Sequence, residues 1–143
     1  LLQDNYYKIN PPKSTGREYF NDDYAEKILK TAPENKYDVI RTITELTAKN
    51  IYNSYVDYVF PKTKIDEVVI GGGGAYNPVL MDSLQKYFGK IPVKTHEDFG
   101  ISNQLKECIA FAVIGLCAYL KKPNTLHICT GADHDVVMGK ISY

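Results

Sequence analysis

Apolar positions keep a helical period through much of the first half of the chain and fall into short blocks in the second. Tyr37, Ile40, Thr44, Thr47, Ala48, Ile51, Tyr55 and Tyr58 recur at helical spacing, which predicts one long helix over residues 36–60 with that face turned inward. Asn35 stands at the expected N-cap, with Asp38 three residues later as the reciprocal acid, and Pro61 stops the helix. Its β-branched residues weaken intrinsic helicity, so packing must hold it. A shorter helix is predicted from about Asp22 to Lys30, broken by Pro33. Before it, Pro11-Pro12 and Ser14-Thr15-Gly16 mark a turn-rich lead-in over residues 1–21.

The blocks of the second half read differently. Val68-Val69-Ile70 is a continuous apolar run bounded by turn signals, the pattern of a central parallel strand covered on both faces. It runs into Gly71-Gly72-Gly73-Gly74, after which Asn77 as N-cap and Pro78 at the first helical position open a helix that Gly89 closes. Residues 91–94 offer a second strand. Ser102 or Asn103 can cap a last long helix, apolar nearly all round from Ile109 to Ala118 and therefore expected to be central and buried. Residues 136–143 offer another strand or edge segment. The order is helix, strand, glycine turn, helix, strand, helix, which predicts an α/β domain; no internal repeat appears, and one domain is expected.

Seventeen basic residues balance seventeen acidic ones, so nothing draws the chain toward nucleic acid or an anionic membrane. No apolar run reaches the length of a membrane span. Cys108, Cys117 and Cys129 are odd in number and form no C-x-x-C, which fits a reducing, cytoplasmic compartment. Cys108 and Cys117 fall in the apolar run and are expected to be inert core residues. The chain opens Leu1-Leu2-Gln3 without an initiator Met, as a processed chain or a piece of a larger protein would.

The glycine turn is the strongest chemical signal. Four missing Cβ atoms let a flat or charged ligand come close to the backbone, at the end of a strand where open α/β sheets bind ligands. The alternative is a tight turn packed against a neighbour. A dinucleotide fingerprint fails, because it needs glycine where Tyr76 or Asn77 stands, and a Walker A loop fails because Ala75-Tyr76-Asn77 follows the glycines. In Pro11–Glu18, Lys13 and Arg17 are candidate anion contacts, with Ser14 and Thr15 as hydrogen-bond donors; a turn with solvated charges is the plain alternative. Glu107 in the first turns of the last helix either compensates the helix dipole or accepts a ligand hydroxyl. Asp133-His134-Asp135 and His96-Glu97-Asp98 lack the spacing of a metal site, and no nucleophile motif accompanies either histidine. No metal ligand is assigned.

Four segments together resemble the C-terminal portion of the anhydro-N-acetylmuramic acid kinase family, which includes the levoglucosan kinases. They are P-P-K-S-T-G-R-E at Pro11–Glu18, G-G-G-A-Y-N-P at Gly72–Pro78, K-E-C-I-A-F-A at Lys106–Ala112 and V-M-G-K-I at Val137–Ile141, spanning nearly the whole chain. Tyr76 before Asn77 leans toward the levoglucosan side of the family. The resemblance implies one lobe of an actin-like (hexokinase-like) ATPase fold, helices packed on a mostly parallel mixed sheet, with ATP and Mg2+ as cofactors. It implies an anhydrosugar substrate, whose ring is opened by water while O6 is phosphorylated, and a possible homodimer. By the same resemblance Gly71, Gly72, Gly73, Gly74 and Asn77 line the adenosine pocket, Lys13, Ser14 and Thr15 lie near the nucleotide or cleft, and Glu107 approaches the sugar. The family's catalytic aspartate and phosphate loop belong to its N-terminal lobe. No catalytic base is therefore assigned here, and residues 1–143 alone are expected to be inactive. Another actin-like sugar or acetate kinase lobe, or a non-catalytic nucleotide-binding or structural module, are the alternatives. Cys108 replaces the family's usual alanine, and residues 99–104 depart from its Gly/Pro-rich approach to the helix.

Overall fold

The computed structural model describes residues 1–142. Residues 1–95 form one compact unit and those from 96 onward a second.

The first unit opens with a short helix α1 (Asn5–Lys8), followed by α2 (Asp22–Thr31) and α3 (Lys36–Ser54). Each start is set by a side chain that takes an otherwise unpaired amide: Asp4 accepts from Tyr6, Asn21 from Tyr24 and Asn35 from Tyr37. α3 passes without a break into a π turn over Tyr55–Val59, so the long helix expected over 36–60 has the right reach but ends in a looser turn. Tyr6, Tyr7, Tyr19, Phe20 and Tyr24 pack ring against ring and hold the lead-in segment to α2. Burial there, with Tyr24 close by, pushes the Tyr7 phenol up to about 12.

β1 (Val68–Ile70), α4 (Pro78–Phe88) and β2 (Val93–Thr95) complete this unit. β1 and β2 run parallel, with Val68 opposite Val93 and Ile70 opposite Thr95, so α4 is the crossover of one β-α-β unit. Ala48, Val68, Leu80, Leu84 and Phe88 are buried together, with Ile51, Tyr52 and Tyr55 of α3 packed against them. Ala48 is fully enclosed, and its single methyl lets α3 and α4 approach closely.

Several expectations need correcting. The predicted α3 face turns inward only in its C-terminal half: Tyr37 is 83% exposed and Ile40 64%, the N-terminal half burying Val39 instead, while the main core lies against Ala48 to Tyr55. β1 is not covered on both faces, since Val68 faces the core while Val69 is 39% exposed; β2 is its only strand neighbour among the described residues. The last long helix, α5 (Lys106–Tyr119), begins after Leu105 rather than at Ser102 or Asn103, and none of its residues is buried. Phe111 is 70% exposed, and Cys108 and Cys117 are likewise not core residues. An all-round apolar helix needs neighbours on several sides to be enclosed, and the described residues of the second unit do not supply them.

The second unit also contains a 3-10 turn at His96–Phe99 and a short helix α6 (His127–Thr130). The strand expected from residue 136 does not form over residues 136–142; Tyr143 lies outside the described residues. Side chains take its place. Asn124 accepts from the Met138 amide and donates to its carbonyl, and the Thr125 hydroxyl does the same for Val136.

Candidate functional site

The glycine turn leaves β1 at its C-terminal end. Gly72 has φ +86° and ψ −172°, a conformation essentially restricted to glycine. A 3-10 turn over Gly73–Tyr76 follows, closed by the Ala75 amide on the Gly72 carbonyl and the Asn77 amide on that of Gly74, both at 3.1 Å. Asn77 Oδ1 then accepts from the amides of Val79 at 3.1 Å and Leu80 at 3.2 Å, starting α4 as its sequence predicts. That oxygen is committed to the helix.

The glycines have different reasons to be glycine. Backbone conformation requires it at Gly72, whereas a Cβ on Gly74 would make an ordinary van der Waals contact, 3.4 Å from Leu80 Cδ2. Gly73 has no conformational requirement either: its φ is ordinary, and a Cβ there would meet nothing within 4 Å. A tight structural turn accounts for Gly72 and for neither Gly73 nor Gly74. Open space above Gly72 and Gly73 is what a ligand resting on bare backbone requires.

Lys13, Ser14 and Thr15 stand on a different part of the first unit. Lys13 Nζ donates to the Tyr6 carbonyl at 3.3 Å and lies 4.8 Å from the centre of the Tyr6 ring. It helps line a cavity of about 330 Å3 between α1 and the end of α3, where Tyr58 Oη donates to Asn10. Ser14 is exposed, and Thr15 Oγ1 is buried without a hydrogen-bond partner. Glu107 belongs to the second unit, exposed in the first turn of α5. The structure thus gathers Gly71–Gly74 and Asn77 on one turn and holds Lys13 against α1.

The family model for anhydro-N-acetylmuramic acid kinase matches residues 1–143. The chain belongs to that family. It is 42% identical over 145 residues to an anhydro-N-acetylmuramic acid kinase of Caldanaerobacter subterraneus subsp. tengcongensis, covering 99% of this chain and 37% of that protein. The kinase of that name from Francisella tularensis subsp. novicida is 42% identical over 144 residues, covering 100% and 38%, and one from Bacillus cereus strain Q1 is 37% identical over 143 residues, covering 96% and 37%. The chain therefore spans little more than a third of the length of these curated relatives.

In this family member several polar groups escaped sequence reasoning. Glu45 of α3 accepts from Tyr87 Oη at 2.6 Å and Ser83 Oγ at 2.8 Å of α4, and pairs with Arg41 at 3.2 Å. The Tyr87 hydroxyl first, then Ser83, holds this carboxyl below its usual range. The network clamps α3 to α4 beside a cavity of about 860 Å3 lined by Leu46, Lys49 and Tyr87 among others; the glycine turn is not part of its wall. Helical spacing places Arg41 and Glu45 together, but their partners lie some forty residues on, beyond the reach of local pattern. In the second unit, Asp135 accepts from the His127 backbone amide at 2.7 Å and pairs with its Nδ1 at 2.8 Å. Chiefly the amide, then the ring, lowers the Asp135 carboxyl. Among the described residues no three His, Cys, Asp or Glu side chains converge as metal ligands, and no helix is long and apolar enough to cross a membrane. Asn103, expected to cap α5, is 5% exposed with both carboxamide atoms unpartnered.

Proposed function

We propose that residues 1–143 form the C-terminal, nucleotide-binding lobe of a two-lobe, actin-like kinase that consumes ATP to open and phosphorylate 1,6-anhydro sugars such as anhydro-N-acetylmuramic acid or levoglucosan. Family membership over the whole chain supports the reaction class. The observation that carries the nucleotide role is the bare backbone at Gly72 and Gly73, where any Cβ would project into open space. A purine lying there meets main-chain atoms and, at the edge, the Asn77 Nδ2 amine. Bound ATP supplies the phosphoryl group. Water adds at the anomeric carbon, the anhydro bond breaks, and the freed O6 becomes the acceptor.

In this reading the Glu107 carboxylate accepts a sugar hydroxyl, and the Lys13–Thr15 segment lies toward the nucleotide. No cluster of metal-ligating side chains stands among the described residues, so Mg2+ would be held mainly by the nucleotide and the other lobe, which would also supply the base that takes the proton from water. Positioning of water, sugar, metal and phosphates together is the catalytic problem in phosphoryl transfer, so residues 1–143 alone bind nucleotide without turnover. The test has two arms. Titration of this chain with ATP should give saturable binding that adenosine competes for. The full-length polypeptide should phosphorylate levoglucosan or anhydro-N-acetylmuramic acid in an ATP-dependent manner. Turnover by residues 1–143 alone, or absence of ATP binding by both proteins, overturns the reading.

A further inference from the structure

We infer that Asn103 is a substrate-binding residue whose carboxamide grips hydroxyl groups of the sugar, in company with Glu107 on the next turn. The identity of the sugar rests on the kinase reading above; the case for a ligand at Asn103 does not.

Asn103 is buried, and neither Nδ2 nor Oδ1 has a hydrogen-bond partner. Buried polar groups in folded proteins are almost always paired, and an amide bare at both ends calls for an explanation. Helix capping does not provide one. α5 starts at Lys106, its cap Leu105 makes no side-chain bond, and the local hydroxyl bond runs from the Gln104 amide to Ser102 Oγ. Asn103 therefore does nothing for the backbone around it.

The unmet groups define what would satisfy them. A carboxamide has one face that donates and one that accepts, and a hydroxyl can do both in return. A second orphan lies in the same stretch: His96 Nδ1 is buried and unpartnered, on the turn closed by the Gly100 amide on the Glu97 carbonyl and the Ile101 amide on that of His96. Glu107 adds a carboxylate in the first turn of α5, where no side chain caps the amides. A carboxamide with both its donor and its acceptor unmet suits a neutral, hydroxyl-rich ligand. The Glu107 charge disfavours a phosphate, so the sugar rather than the nucleotide is assigned here.

The experiment uses the full-length kinase. In the wild-type protein the Asn103 side-chain NH2 signal is followed by NMR during titration with levoglucosan, and a saturable shift is expected. Asn103→Leu, apolar and of similar size, should raise the sugar KM by at least about tenfold, because a site built around hydrogen bonds discriminates strongly when one is lost. The ATP KM should stay within about twofold, and the ligand-free Tm should hold or rise, since the change removes an unpaired buried polar group. An unshifted NH2 signal at saturating sugar, or an unchanged sugar KM in Asn103→Leu, overturns the inference; a trapped water that merely fills the site predicts that second result. Should Asn103→Leu fail to fold, Asn103→Asp keeps the shape, removes the donor and is read by the same KM pair. Should the wild-type enzyme turn over no anhydrosugar, the kinase reading fails by itself. The NH2 signal under levoglucosan or glucose then decides Asn103, a shift supporting it and no shift overturning it.

Discussion

Replacing Gly73 by alanine separates a structural turn from a nucleotide cradle. A Cβ at this position meets no atom within 4 Å, and the backbone is in an ordinary conformation. The folded protein therefore accommodates the methyl without strain. Reduced freedom of the unfolded chain should then stabilise the variant by about 0.4–1 kcal/mol. A ligand resting on the Gly73 Cα is affected in the opposite direction. Carbon atoms in contact lie roughly 3.5–4.0 Å apart, and a gap of 0.5–1 Å already forfeits a quarter to a half of each contact. The added methyl projects about one C–C bond, roughly 1.5 Å, into that space. Displacement on this scale should weaken ATP binding by at least about tenfold, some 1.4 kcal/mol. Urea denaturation of the ligand-free protein and calorimetric titration with ATP, on this chain and on the full-length kinase, measure the two effects separately. Gly72→Ala is the control, since φ +86° with ψ −172° makes any side chain there cost about 1–3 kcal/mol in the fold itself. An ATP affinity in Gly73→Ala within about twofold of wild type would refute the cradle, whatever happens to stability.

Three other outcomes are expected. Leu84→Ala, at a fully enclosed core position between α3 and the sheet, should lose about 3 kcal/mol and lower the urea midpoint without altering the m-value. Asn77→Ala removes the acceptor for two α4 amides and should cost about 1 kcal/mol, most of it recovered in Asn77→Asp, as judged by thermal melts of the two variants. Glu45 has its carboxyl lowered in the fold by Tyr87 and Ser83, so its contribution is complete above the unfolded value of about 4.3 and is lost as pH falls through the lower folded value. Glu45→Gln should therefore be less stable than wild type at neutral pH but converge with it in acid, and parallel acid limbs in urea midpoints against pH would contradict that assignment.

The lead-in to α4 was legible because its signals are local. Asn77 and Pro78 start the helix, Gly89 ends it at φ +61°, and the strand before it occupies Val68–Ile70. Each depends on atoms within a few residues, which sequence displays directly. The glycine turn was legible as a candidate for the same reason, although only coordinates separated Gly72, required by its φ, from Gly73, which the fold leaves bare. Burial was read less well. Tyr37 and Ile40 share the helical period of Ala48 and Ile51, yet the core meets only the later pair. Period says which side chains line up, whereas burial depends on which distant element arrives.

Sequence by itself determined the caps of α3 and α4, the stop of α4, the α/β class and, through four spaced motifs, the family. Tertiary structure decided that Val69 and α5 lie exposed, that Glu45 meets Ser83 and Tyr87 across two helices, and that Asn103 is enclosed without a partner. The division has one cause: conformational preferences act over neighbouring bonds, while burial and hydrogen-bond satisfaction are fixed only when segments far apart in the chain come to occupy the same few ångströms.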